Sequence, residues 1–193
     1  MLRKFKEGGR WLHRALELLD DIYGEDHPGT VLVHLGLSTM CQAQNKWEAA
    51  RDHLIRAWEV KEDECRRICN GPEGDSTELA EIYGEMGKVY LKLQDDKTAL
   101  DMYTRALRIY KTKEAASMVL GKTAQQAATI QSRLGQFEDA FTSFQIASEV
   151  FEISYGLHHK KTLDVWRKVI VPLFERMSCG IISCVDCRCV SCW

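Results

Sequence analysis

The sequence predicts an all-α fold, an array of antiparallel helical hairpins, and three observations carry that reading. One pattern occurs three times: Leu37-Ser38-x2-Cys41…Ala50-x3-Leu54-x2-Ala57, Met86-Gly87-x2-Tyr90…Ala99-x3-Tyr103-x2-Ala106 and Ala127-Ala128-x2-Gln131…Ala140-x3-Phe144-x2-Ala147. A half copy, Gly8-x3-Leu12-x2-Ala15, stands upstream. The equivalent positions 8, 50, 99 and 140 are 42, 49 and 41 residues apart, a period typical of stacked helical repeats. Short turns divide the full copies at Gln44-Asn45-Lys46, Gln94-Asp95-Asp96 and Leu134-Gly135-Gln136. Connections that brief force antiparallel neighbours.

Taken in order, each element has a packing reason. Phe5 marks the start of a second helix, so the chain opens with half a hairpin and leaves one helix face without a neighbour. A lost upstream repeat in a shorter isoform is the favoured reading of that start, and a true terminus whose first helix self-associates is the alternative. In the full hairpins, Gly87 and Ala128 on the first helix and Ala50, Ala99 and Ala140 on the second are small enough to let the backbones approach. Leu54, Tyr103 and Phe144 fill the space between hairpins. Ala57, Ala106 and Ala147 follow three residues later, on the same helical face. The second helix of the first full hairpin extends through Ala57–Cys69, with Trp58, Lys61, Cys65 and Ile68 at helical spacing. Asn70-Gly71-Pro72-Glu73-Gly74-Asp75 then breaks it into a projecting loop. Thr162–Val169 fits the first helix of a last unit, and Pro172 stops or kinks it.

Small-x2-aromatic, a short turn followed by an aromatic (Phe5, Trp47, Phe137), and Ala-x3-aromatic-x2-Ala together resemble the tetratricopeptide repeat, and the long spacing resembles its kinesin light chain type. That type carries Tyr-Gly-x-x-His after the second helix, seen here as Tyr23-Gly24-Glu25-Asp26-His27-Pro28 and Tyr155-Gly156-Leu157-His158-His159. Long repeats of this character are also similar to those of the tetratricopeptide repeat protein 23-like group. The resemblance implies a right-handed solenoid over residues 1–176 and a non-catalytic protein-binding scaffold or adaptor. It further implies a cytoplasmic location associated with cilia, the centrosome or microtubules, with a kinesin-light-chain-like cargo adaptor as the alternative.

In such arrays the first helix of each hairpin faces a concave groove. The corresponding partner-binding positions are Thr39, Gln42, Glu85, Lys88, Lys92, Lys122, Gln126, Thr129 and Arg133, with Glu81 and Gln125 beside them. Lys88, Lys92, Lys122 and Arg133 make that face basic, which suits an acidic segment of a protein partner; the alternative is an ordinary solvated helix face. The Lys and Asn pairs of the chaperone-tail clamp are replaced by Leu35, Thr39, Gly84, Lys88, Gln125 and Thr129, so chaperone C-termini are not expected ligands.

Composition narrows the partner class. The 193 residues are 45% hydrophobic and 28% charged with a formal net charge of −2, which argues against general attraction to nucleic acid. No run approaches a membrane-spanning length, and Met1–Glu7 is too charged for a secretory signal. There is no Gly-rich phosphate loop, no Gly-x-Ser-x-Gly elbow and no His-Glu-x-x-His, so neither catalysis nor a cofactor is expected. His27 and His158-His159 read as turn-closing residues. His13, His34 and His53 read as scattered structural histidines without a shared site.

Residues 177–193 differ in composition and hold five of the eight cysteines. Cys184-x2-Cys187-x-Cys189-x2-Cys192 offers four thiolates to a metal ion, but the two pairs are too close together for an ordinary zinc ribbon. Lipid attachment is a second reading and an unstructured tail the third and preferred one. A regulator acting through this tail is accordingly the alternative from outside the scaffold class. Cys41, Cys65 and Cys69 read as reduced thiols.

Overall fold

The computed structural model describes residues 2–69, 76–112 and 118–168, with the side chains of residues 2–6 and 68–69 outside that description. All regular structure among the described residues is helical: α1 (Leu2–Tyr23), α2 (Gly29–Ala43), α3 (Trp47–Cys69), α4 (Thr77–Lys92), α5 (Asp96–Thr112), α6 (Met118–Arg133) and α7 (Phe137–Tyr155). An eighth helix, α8, is described over 160–168. The chain divides into two compact units, residues 1–115 and 116–193.

In the first unit, α1 packs on α2, α2 on α3, α3 on α4 and α4 on α5. Its core is built from the repeated positions: Ala50, Leu54 and Ala57 of α3 are fully buried and meet Val31 of α2 and Ile82, Met86 and Val89 of α4. Ala99, Tyr103 and Ala106 occupy the same stripe of α5. The small residue of the first helix is needed for close approach, because a Cβ on Gly87 would stand 2.8 Å from the Tyr103 ring. In the second unit α6 packs on α7, and Ala128 of α6 and the stripe Ala140, Phe144 and Ala147 of α7 are all buried. Gly121 has the same use: a Cβ there would come within 2.9 Å of Phe151 and Val150.

The three short turns share one geometry. Asn45 (φ 58°), Gln94 (φ 63°) and Gly135 (φ 77°) are left-handed, each five residues before the repeat alanine. In each, the next amide reaches back across the helix end, Lys46 to Cys41 O at 2.9 Å, Asp95 to Tyr90 O at 3.0 Å and Gln136 to Gln131 O at 2.9 Å. This wide backbone bond satisfies a carbonyl that the helix leaves open and reverses the chain. Asp96, expected in the turn, is already the first residue of α5. Asp95 precedes it as a cap: its carboxylate accepts from the Thr98 amide at 3.1 Å and the Thr98 hydroxyl at 2.6 Å. These bonds hold the carboxyl below its usual range, the Thr98 side-chain bond contributing most.

The two Tyr-Gly-x-x-His segments are structural twins. Gly24 and Gly156 have φ of 86° and 89°, and the Tyr and His rings stack, Tyr23 on His27 at 4.6 Å and Tyr155 on His159 at 4.4 Å. His27 Nδ1 accepts from the Gly29 amide at 3.1 Å and His159 Nδ1 from the Lys161 amide at 3.2 Å. Each histidine thus takes up an open amide at the start of the following helix. Thr30 and Thr162 complete the pair: both are fully buried, and their hydroxyls donate to His27 O at 2.8 Å and Gly156 O at 3.0 Å. The hairpin-closing role read for His27 and His158-His159 is seen at His27 and, within the pair, at His159.

The long second helix is also present, α3 running 23 residues to Cys69. Lys61, largely buried, pairs with Glu64 at 2.8 Å and with Glu78 at the start of α4. Burial opposes the charge on Lys61, but the hydrogen bonds to the two glutamates raise its pKa overall. The projecting loop 70–75, the Pro172 stop and the cysteine-rich tail 177–193 lie outside the described residues.

Candidate interaction surfaces

The expected binding positions lie on the first helix of each hairpin. In the first unit, Thr39 and Gln42 belong to α2 and Glu85, Lys88 and Lys92 to α4. Gln42 Nε2 donates to Ser38 Oγ at 3.3 Å and reaches Glu85 Oε2 at 3.4 Å, which links the two helices. Lys88 is exposed and pairs with Glu85, while the ammonium of Lys92 stands 5.8 Å from the centre of the Trp47 ring. The basic character read from sequence is consequently tempered here by Glu85. Thr39 turns its hydroxyl back to Leu35 O at 2.8 Å. Space lies open over α4 at Gly84, where a Cβ would meet nothing within 4 Å. In the second unit, Lys122, Gln126, Thr129 and Arg133 lie on α6, with Lys122, Gln126 and Arg133 exposed.

A second surface of the first unit was not legible in the sequence. His13, His34 and His53, read as scattered, come together from α1, α2 and α3. His34 and His53 approach with Nδ1···Nδ1 3.3 Å apart and ring centres 5.5 Å apart, and His13 meets His53 edge-on at 6.5 Å. At 3.3 Å one ring must donate a proton to the other's lone pair, so the pair is stable with one nitrogen bare. Burial first, and then the neighbouring His53 and Arg56, lower the His34 pKa, against Asp20. His53 is lowered by burial and by His13, against Asp52. The missed signal is positional: Thr30, His34, Leu37, Ser38 and Cys41 form one inward stripe of α2, and His34 is 8% exposed.

Beside this cluster an open cleft of ≈ 670 Å³ runs between α1, α2 and α3. Arg10, His13, Arg14 and Glu17 of α1 form one wall, and Lys46, Ala49 and His53 the other. Leu37, Met40 and Cys41 of α2, with Gln44 just past its end, form the floor. Arg14 and Glu17 pair at 3.0 Å. Burial pushes the Cys41 thiol up, against Lys46. Among the described residues no group of three His, Cys, Asp or Glu side chains has metal-binding geometry.

Helical hairpins repeated at this spacing define a structural class that other proteins share. Residues 1–63 match the tetratricopeptide repeat family model. Among solved structures, BtubC (BKLC) from P. vanneervenii is 19% identical with a TM-score of 0.66, over 91% of this chain and 66% of that one. A putative kinesin light chain with nearly identical TPR-like repeats from Podosopora anserina gives 12% identity and a TM-score of 0.70, over 86% and 75%. Aspartyl phosphate phosphatase F from Bacillus subtilis is similar at 16% identity and a TM-score of 0.58, over 75% and 35%. No curated protein sequence matches. The fold is of the tetratricopeptide-repeat-like kind that these structures share, as the repeat spacing predicts, and the family match itself lies over residues 1–63.

Proposed function

We propose that this protein is a non-catalytic adaptor that holds a peptide or helix of a partner protein against the first helices of its hairpins. The observation that carries the reading is the run of exposed polar side chains over α4, Lys88 and Lys92 above the open space at Gly84. The α6 face, with Lys122, Gln126, Thr129 and Arg133, is the corresponding surface of the second unit. Exposed charges of this kind do little for folding but set encounter rate and partner choice. An acidic segment suits the charge of Lys92, and Glu85, paired with Lys88, restricts where its carboxylates can sit. Cargo adaptation of the kinesin light chain kind is the more specific form of the proposal, supported by the fold shared with a protein of that name. Activity near microtubules, the centrosome or the cilium belongs to that form, as does membership of the tetratricopeptide repeat protein 23-like group. The array would extend to residue 176, with 177–193 as a separate tail.

The test is affinity purification from the source cells with three chains: wild type, Lys88→Glu/Lys92→Glu/Arg133→Glu, and a chain lacking 177–193. The charge reversal should keep its helical circular dichroism and lose partners, while the shortened chain keeps them. Equal partner recovery by the reversed chain would reduce this face to solvated surface. Partner loss on tail removal alone would favour a tail-driven regulator.

A further inference from the structure

We propose that the cleft between α1, α2 and α3 is a second binding site, one that takes a short acidic peptide with an apolar side chain and grips it more tightly as the pH falls. The site is separate from the face just described. Its floor residues Leu37, Met40 and Cys41 on α2 and Gln44 at its C-terminal cap follow i, i+3, i+4, i+7, whereas Thr39 and Gln42 fall on the opposite side of the same helix.

Charge complementarity identifies the occupant. Arg10, Arg14 and Lys46 face the cleft and only Glu17 opposes them, with Arg14 already paired to it. Arg10 and Lys46 have no ion-pair partner among the described residues. Lys46 stands just before the first residue of α3, where the helix N-terminus adds positive potential. The floor between these cations is apolar, formed by buried Leu37 and half-buried Met40 and Cys41. Along α1 the wall from Gly9 to Glu17 extends roughly 12 Å at 1.5 Å per residue, about the length of four extended residues. A peptide of that size would lay carboxylates on the rim cations and one apolar side chain on Met40. A bare phosphate would use the rim and leave the floor empty.

The pH dependence follows from the histidines in the wall. The charged and titratable groups facing them are His13 and Asp20 on α1 and Asp52 and Arg56 on α3, with His34 of α2 facing His53 of α3. In the empty cleft burial first, then the neighbouring histidines and, at His34, Arg56, disfavour the charged rings of His34 and His53. Carboxylates entering the cleft favour the protonated rings, so binding takes up protons, and by linkage it strengthens below the ordinary histidine range of about 6.5.

The experiment is fluorescence anisotropy with a short fluorescein-labelled glutamate-rich peptide carrying one leucine, against the full chain at about pH 7.5 and about pH 5.5. Wild type should bind more tightly at the lower pH by several-fold. Arg10→Glu/Lys46→Glu should weaken binding by at least about tenfold, with circular dichroism reporting that the helices persist. His53→Gln should show little gain on acidification relative to its own affinity at the higher pH. If the double reversal disturbs the fold, Lys46→Gln alone, at an exposed position, should still weaken binding measurably. Peptide without leucine, or inorganic phosphate, should compete poorly; equal competition by phosphate would make this an anion site and overturn the peptide assignment. Peptide affinity unchanged by Arg10→Glu/Lys46→Glu, or lost equally in Lys88→Glu/Lys92→Glu, would overturn the cleft itself. The second of these results would leave the first-helix face as the only site, so the two proposals fail separately.

Discussion

Gly87 illustrates how one missing atom sets a helix separation. The absent Cβ leaves room for the Tyr103 ring, which would otherwise sit 2.8 Å away, and ring carbons cannot yield at that distance without moving α5. Gly87→Ala should destabilise the chain by about 1–3 kcal/mol through overpacking. In a Tyr103→Leu background the same change should cost less, since the obstructing ring is gone. Gly84→Ala, one turn earlier over open space, should instead stabilise by up to about 1 kcal/mol from helix propensity. Urea unfolding of wild type, the three single variants and the double variant checks all three expectations; equal effects at 84 and 87 would remove the proposed contact. Tyr103 also shows what residue patterns leave out. Its ring occupies the predicted slot, but its buried hydroxyl has no partner, and burial pushes its pKa well above the ordinary phenol value. Nothing in Ala-x3-aromatic-x2-Ala distinguishes a satisfied tyrosine from this one.

At the scale of elements, the short connections do more than join helices. The Tyr-Gly-x-x-His segments combine a left-handed glycine, a stacked ring pair and a histidine accepting an amide of the next helix, and they do so in both units. His27→Ala and His159→Ala should each cost about 1 kcal/mol, comparable to the loss of a helix cap. Hydrogen exchange should speed at the Gly29 and Thr30 amides in the first variant and at Lys161 in the second. Unchanged protection at those amides would mean that the rings merely pack. These segments were readable in sequence because the chemistry is local: four or five consecutive residues contain both partners. The same holds for the extension of α3 and for the turns at 45, 94 and 135. It also held for the cap formed by Asp95 and Thr98, a visible Asp-x-x-Thr spacing that was read only as part of a turn.

At the scale of the molecule, the limits of that legibility follow from sequence separation. The repeat register fixed which small and large residues meet, since every copy repeats the same choice. The histidine cluster broke no register and repeated nowhere, so its three members, drawn from three helices, carried no mutual signal. The cleft beside it has the same origin, since its walls come from α1 and α3. One consequence concerns acid. Folded-state pKa values below the ordinary histidine value mean that the unfolded chain binds protons more readily, so stability is retained above about pH 6.5 and lost as pH falls through the lowered values. Melting temperatures should therefore decline below about pH 6.5, and His34→Gln should flatten the decline. Hydrogen exchange should place the acid loosening in α1–α3 and leave α6 and α7 protected. Uniform loosening of both units would assign the effect elsewhere.

The left-handed residues at 45, 94 and 135 also bear on how the chain reaches this state. Each closes a hairpin whose two helices meet within a few dozen residues of sequence, and the backbone bond that closes it spans five residues. Contacts of such short span form early, because little chain entropy is lost in bringing their ends together. A nascent chain would need only one helix, its turn and the next helix to begin burying Ala50 or Ala140. Folding of each unit should accordingly be able to begin before synthesis ends.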